Sequence, residues 1–177
     1  MTERRYPEVA AGPFPEPPID WTDEAGRTIE IRVCQGDRDG LVSMYEDFDP
    51  SERAQGIPPV QESAIREWLD HLLCEDCFNV VASHEDRIVG HATLVGDDAG
   101  AYELAIFVHQ DFQDAGTGTK LLEALLGHAA AAGVKRVWLT VERWNEPAIE
   151  LYKKVGFEMC GSESFEIEMA VRIAKED

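Results

Sequence analysis

The sequence predicts a single α/β domain, a mixed sheet flanked by helices, and three observations carry that prediction. Short β-branched runs alternate with segments of helical periodicity in the order β-α-α-β-β-β-α-β-α-β-β. The 177 residues, 44% of them hydrophobic, are enough for one buried core without staples. No internal repeat divides the chain.

Each element has a local cause. Residues 1–25 hold Pro7, Pro13, Pro15, Pro17 and Pro18 and little apolar periodicity, so they read as an extended or disordered arm, with the domain itself over 26–177. TIEIRVC (28–34) alternates and is β-branched, the mark of a strand. A helical pattern follows over about 38–48, with Leu41, Tyr45 and Phe48 on one side. DPSERAQGIPP (49–59) sets Gly56 among Pro50, Pro58 and Pro59, a loop. Ile65, Trp68, Leu69 and Leu72 make a second helix over about 61–74. NVVASHEDRIVGHATLV (79–95) predicts two strands joined in a hairpin at His84 to Asp86. AYELAIFVH (101–109) is nearly continuous apolar sequence, expected of a central strand buried on both faces. A helix over 116–132 presents Leu121, Leu122, Leu125, Leu126 and Ala129 on one face, with Gly133 at its C-terminal cap. After the strand KRVWLTVE (135–142), Asn145 caps a helix that carries Glu146 and Pro147 in its first turn and stops at Gly156. GFEMC and FEIEMAVRI supply two closing strands.

Composition narrows the function. Thirty-five acidic residues against sixteen basic ones give a net charge of -19, and the acids are spread along the chain. With no basic stripe to displace counterions, direct duplex nucleic-acid binding is disfavoured, and no nucleic-acid partner is expected. The excess of acid, with few lysines, suits a surface kept soluble at high salt, where the Debye length falls to about 3 Å. No run reaches the roughly 18 apolar residues of a membrane span, and MTERRYPEVA lacks a signal-peptide core, so a cytoplasmic protein with no membrane partner is expected. Structural disulfides are not expected in that compartment. The lone CxxC of Cys74 and Cys77, near His71 and His84, lacks the second pair that a zinc site needs. These cysteines read as small, half-buried side chains at a helix end, and no metal is expected.

The stretch QDFQDAGTGTKLLEAL (110–125) places Gly116 and Gly118 between an apolar strand and a leucine-rich helix. Free backbone N–H groups and the positive end of a helix dipole there would suit a phosphate. The spacing is wrong for a P-loop, and Leu121 stands where a dinucleotide fingerprint needs a third glycine or alanine. Taken alone, the glycines equally serve a tight turn before an amphipathic helix.

Two motifs decide between these readings. Gln113-Asp114-Ala115-Gly116-Thr117-Gly118 resembles the Q/R-x-x-G-x-G/A signature of the GNAT superfamily of N-acetyltransferases, and NEPAIELYKKVGF (145–157) is similar to that family's N-x-x-A-x-x-L-Y-x-K-x-G-F helix. The resemblance covers about residues 28–173, in an acidic, haloarchaeal-type composition. It implies a GNAT-like fold, a mostly antiparallel mixed sheet of six or seven strands with about four helices. It also implies acetyl-CoA as cosubstrate. The amides of Gln113, Asp114, Ala115, Gly116, Thr117, Gly118 and Thr119 would wrap the pyrophosphate, with Asn145 on the following helix. The pantetheine arm would lie beside Ile106, Phe107 and Val108 like an added strand. Asp114 and Ala115 stand where family members often carry Arg or Lys, which leaves the phosphates to backbone amides.

The chemistry needs a base and a donor. An alkyl ammonium of pKa near 10.4 costs about 4.6 kcal/mol to deprotonate at pH 7. Glu103 is the one acid within AYELAIFV, and burial there would raise its pKa toward that of a useful general base; the alternative is a carboxylate at the strand's wet end that only pairs with an arginine. The resemblance gives Tyr152 the role of donor to the departing sulfur. Since a phenol near 10 is a weaker acid than a thiol near 8.5, a hydrogen bond is a better role than full proton transfer. Tyr152 packed in the core beside Ile149 and Val155 is the bland alternative. His109 is a second candidate base, and Cys160 has no histidine beside it in sequence to activate a covalent route.

The expected reaction is therefore direct ternary-complex transfer of acetyl from acetyl-CoA to an amine, a small molecule or a protein lysine. A non-catalytic acyl-CoA sensing module shares the loop but has no need of Glu103 and Tyr152. The acceptor would be read by YEDFDPSERAQGIPP and CGSESF, where Asp47, Asp49, Glu52 and Glu163 suit a cation and serve equally as solvated surface. Exposed strands leave pairing into a homodimer open.

Overall fold

In a computed structural model, residues 4–53 and 57–174 are described; Gly56 of the 49–59 loop lies outside the described residues. Eight strands form one sheet: β1 (Ile19–Thr22), β2 (Thr28–Val33), β3 (Phe78–His84), β4 (Arg87–Gly96), β5 (Tyr102–Val108), β6 (Arg136–Glu142), β7 (Glu158–Ser162) and β8 (Glu166–Arg172). Four α-helices cover it: α1 (Arg38–Glu46), α2 (Glu62–Leu72), α3 (Thr117–Ala131) and α4 (Glu146–Val155). Spatial order is β1-β2-β3-β4-β5-β6-β8-β7. Only β5 and β6 run parallel, because α3 carries the chain back across the sheet between them.

Two apolar layers sandwich the sheet. On one face Leu121, Leu122, Leu125 and Leu126 of α3 pack with Val155 of α4 against β2 to β6 and β8. On the other, α1 and α2 meet Val81, Ile88 and Phe107 through Leu41, Tyr45, Ile65 and Leu69. This second pair of helices covers β4 and its neighbours and leaves the β6, β8 and β7 part of that face open. The openness there positions the site described below.

Three expectations change. The sheet has one strand more than foreseen, β1, drawn from the proline-rich arm and paired antiparallel with β2. Prolines forbid helix but not docking. Residues of this arm run along the body, with Ala11 bridged to Ile173, Phe14 buried in the core, and the Pro15 carbonyl lying directly over Gly127 of α3. Secondly, β5 is not buried on both faces. Only Tyr102 and Glu103 have partners on β6, at Val137 and Trp138, so residues 104–108 border an opening. Thirdly, Cys74 and Cys77 are joined in a disulfide. The turn after α2 brings their Cα atoms to 5.1 Å, within reach of a bridge.

Candidate active site

The parting of β5 from β6 creates a cleft of about 330 Å³. One wall is Ile106, Phe107 and Val108; the other is Thr140 to Glu142, with Asn145 and Tyr152 beyond it. A parallel pair that separates after two residues leaves the β5 backbone from Leu104 onward with an unpaired edge toward β6. Phe107 anchors that edge from the opposite face, edge-on to Tyr45 and Trp68 at centroid distances of 5.6 and 5.3 Å.

At the end of the cleft the chain turns into α3. Asp114 and Gly116 take positive φ (58° and 89°), which brings the loop back over the head of the helix. Glycine is required at Gly116 twice over, since a Cβ there would lie 2.8 Å from the Trp21 ring. At Gly118 a Cβ would lie 2.9 Å from Leu151 of α4, so this glycine sets how closely the two helices approach. The amides of Thr117, Gly118 and Thr119 head α3 and have no carbonyl one turn back to receive them. Beside them the Thr117 hydroxyl is buried without a hydrogen-bond partner among the described residues. An orphaned buried donor at a helix N-terminus fits an anion. Gln113 does something else: its side-chain amide nitrogen, Nε2, donates to the Val108 carbonyl (2.9 Å) and to Glu52 (2.8 Å), bracing the loop. The Ala115 carbonyl accepts from Glu24 N (3.0 Å), tying the loop to the arm.

Tyr152 is almost wholly buried and lines the cleft. Burial pushes its pKa up to about 12. Asn145 caps α4 through Ala148 N (3.3 Å) while lining the cleft.

Glu103 sits at the point of divergence, opposite Trp138, and is exposed. It lies three residues, roughly 10 Å, up-strand of Ile106 and outside the cleft lining. Partial burial raises its pKa; Arg4 opposes that, while Asp97, Glu166 and Glu168 add to it. Glu103 therefore does not stand on a strand buried on both faces, as expected from the sequence, although burial still raises its pKa.

The other candidates are engaged elsewhere. His109 is fully buried: its Nδ1 accepts from Asp111 N (3.1 Å), and its Nε2 faces Asp47 (2.7 Å), Arg87 (3.1 Å) and Gln110 (3.2 Å), so both ring nitrogens are engaged within the protein. Asp47 is held by that ring and by Arg87 (3.1 Å), and Asp49 caps the turn at Ser51. Cys160 faces Glu168, and burial first, then that carboxylate, push its thiol to about 11, which leaves no thiolate for a covalent route. Among the described residues no cluster of three or more His, Cys, Asp or Glu side chains could hold a metal.

Sequence reasoning missed the face on which Glu103 stands. Trp138, Thr140 and Glu142 point that way from β6, and Glu166 and Glu168 join them from β8 through the pairs Glu142–Glu166 and Thr140–Glu168. The period of KRVWLTVE, with Val137, Leu139 and Val141 buried, carried that signal.

Comparison with known proteins adds the family. The model of the acetyltransferase (GNAT) family matches residues 41–157. An uncharacterized N-acetyltransferase of Mycobacterium bovis is 34% identical over 89 residues, 50% of this chain and 57% of its own length. The [ribosomal protein bS18]-alanine N-acetyltransferase of Salmonella typhimurium is 36% identical over 85 residues, 47% of this chain and 56% of that one. A mycothiol acetyltransferase of Thermobifida fusca is 29% identical over 167 residues, 86% of this chain but 50% of the relative. The chain thus spans little more than half the length of these curated relatives. Among solved structures, the GNAT domain of S. lividans PAT superposes with a TM-score of 0.75 at 18% identity, covering 88% of this chain and 96% of that one. A putative acetyltransferase from Salmonella typhimurium, solved with its cofactor acetyl-CoA, gives 0.66 at 18% identity over 84% and 95%.

Proposed function

From the premise that the chain belongs to the acetyltransferase (GNAT) family, we propose that it moves an acetyl group from acetyl-CoA to a primary amine by direct transfer in a ternary complex. The observation that carries this reading is the cleft between β5 and β6, which has an unpaired strand edge on one side, Tyr152 on the other and the head of α3 at its end. The amides of 113–119 and the Thr117 hydroxyl bind phosphate oxygens; residues 106–108 align the pantetheine as an added strand; Asn145 borders it.

Acetyl-CoA brings a thioester carbonyl to this cleft. Glu103, too far along the strand for direct contact, receives the proton of the amine through water as nitrogen bonds to that carbon. The carbon–sulfur bond breaks, and the Tyr152 hydroxyl donates a hydrogen bond to the leaving sulfur. With the phenol at about 12, handing over its proton to a thiolate near 8.5 would run uphill by roughly 5 kcal/mol, so donation without transfer is the role that burial supports.

The net charge of -19 supports a high-salt setting, and the β7 edge leaves room for pairing of two copies. Calorimetric titration with acetyl-CoA at molar KCl, followed by thiol release on addition of a panel of amines, tests the assignment. Binding with amine-dependent release is expected. Binding without release from any amine would leave an acyl-CoA sensing module, and no binding at any salt would reduce the loop to a turn.

A further inference from the structure

On the open face of the sheet, beside Glu103, a guanidinium is already in place. Arg4 of the arm lies over the Trp138 ring at 3.7 Å. Its Nη2 donates to Glu168 Oε1 at 2.6 Å, and its Nη1 stands 3.9 Å from Asp97 Oδ2. The Asp97 side of the seat is built independently of its occupant. The Asp97 carboxylate receives the amides of Ala99 (2.8 Å) and Ala101 (2.9 Å), and its other oxygen receives the Trp138 indole N–H (2.9 Å). Burial alone would raise the Asp97 pKa, but those N–H bonds and Arg4 bring it below the usual carboxylate value, so the seat stays anionic. An aromatic face between one carboxylate held by three donors, Asp97, and a second, Glu168, that meets the occupant is a cation site by its chemistry, and a guanidinium on it shows how the cation would sit.

Its location connects it with the reaction. Trp138 is the register partner of Glu103 across the last bonded pair before β5 and β6 part. A groove of about 430 Å³, bordered by Arg4, Glu163 and Glu168, shares Thr140 and Glu166 with the cleft. A molecule entering toward the cleft by this groove meets Arg4 on the way.

We propose that the Trp138–Asp97–Glu168 seat binds a positively charged group of the acceptor, that the acceptor is a small di- or polyamine with one nitrogen seated there and another presented toward Glu103, and that Arg4 is its internal competitor. This rests on Glu103 receiving the amine proton through water, as proposed above. A cation in the seat does no proton transfer; it positions the molecule. The arm can yield its side chain without unfolding, since its main chain is fastened further along, where Arg172 Nε donates to the Pro7 carbonyl (3.0 Å) and Ala11 N to the Arg172 carbonyl (2.8 Å).

The test is calorimetric binding of spermidine, with n-butylamine as the single-charge comparison, to the full chain without acetyl-CoA, so that failure of the seat and failure of acyl transfer are read separately. Arg4→Ala should tighten spermidine binding by about 10-fold and n-butylamine far less. Adding Glu168→Gln to Arg4→Ala should abolish the gain, whereas adding Glu67→Gln, an exposed acid of α2 outside the groove lining, should not. Unchanged or weaker spermidine binding in Arg4→Ala, with a thermal melt like that of the parent, would overturn the proposal. So would an equal loss on Glu67→Gln, which would make the binding a bulk effect of net charge.

Discussion

Acid should destabilise this protein through His91. The ring is fully buried, with Nε2 donating to Asn79 Oδ1 at 2.7 Å and Nδ1 accepting from the Tyr45 hydroxyl at 2.5 Å. Asn79 is fixed in that orientation because its own Nδ2 donates to the Leu72 carbonyl (2.8 Å). Both ring nitrogens are therefore committed to the neutral form, and burial lowers the pKa to about 3. Unfolded, the ring titrates near 6.5, so the folded state is fully favoured above that pH and loses ground as pH falls through 6.5 toward 3. Between pH 7.5 and 4.5 the loss is about 2 pH units at 1.36 kcal/mol each, roughly 3 kcal/mol. For a chain of this size that corresponds to a Tm lower by about 6 to 12 °C. Calorimetric or circular-dichroism melts at the two pH values, at constant molar KCl, measure it. His91→Gln, which does not titrate, should be less stable at pH 7.5 but should lose about that much less on acidification. An equal acid shift in parent and His91→Gln would refute the reasoning and move the effect to carboxylates.

Other substitutions test the site and the arm. Tyr152→Phe removes a hydrogen bond to a charged sulfur, worth about 1.5–3 kcal/mol, so kcat should fall about 10- to 150-fold while acetyl-CoA affinity stays within a few-fold. Glu103→Gln should cost about 100-fold or more in kcat/KM, and the parent's rate should rise with pH through a pKa above the ordinary carboxylate value; full activity in Glu103→Gln with a loss in Glu142→Gln would move the base to the cleft wall. Gly127→Ala gains about 1 kcal/mol in helix propensity but puts a methyl into the Pro15 carbonyl and within 2.9 Å of the Phe14 carbonyl. Overpacking of about 1–3 kcal/mol should win, so Tm falls; a rise of a few degrees would show the arm lying elsewhere in solution.

What the sequence made legible depends on how local each cause is. The α3 leucines, the Gly133 and Gly156 stops and the Asn145 cap are written within a turn or two of the helices they define, and all lie where periodicity put them. β1 was not legible, because four residues next to a proline cluster have no pattern of their own; their partner is β2, and their burial comes from α3 and the glycine loop. The two-face burial expected of β5 failed for a related reason. Apolar content says that a strand is central, but the separation from β6 after Trp138 is a property of the pair, invisible in either strand alone.

The acids show the same limit more sharply. In a chain with thirty-five of them, an acidic residue near a predicted cleft carries almost no information, and Asp47 and Asp49 are spent on His109, Arg87 and Ser51. What separates Asp97 from such surface acids is the set of donors that hold it: two amides of its own turn and an indole from a strand forty residues on. A carboxylate fixed in this way keeps its charge and its direction whether or not Arg4 is present, whereas a solvated acid gains a partner only by ordering itself. Salt sharpens the distinction, since screening at molar ionic strength removes the diffuse attraction of the surface for cations and leaves contacts at van der Waals distance. At molar salt, then, the proposed seat is distinguished from the acidic surface by contact: the Trp138 face and the Asp97 carboxylate already hold the Arg4 guanidinium at such distances.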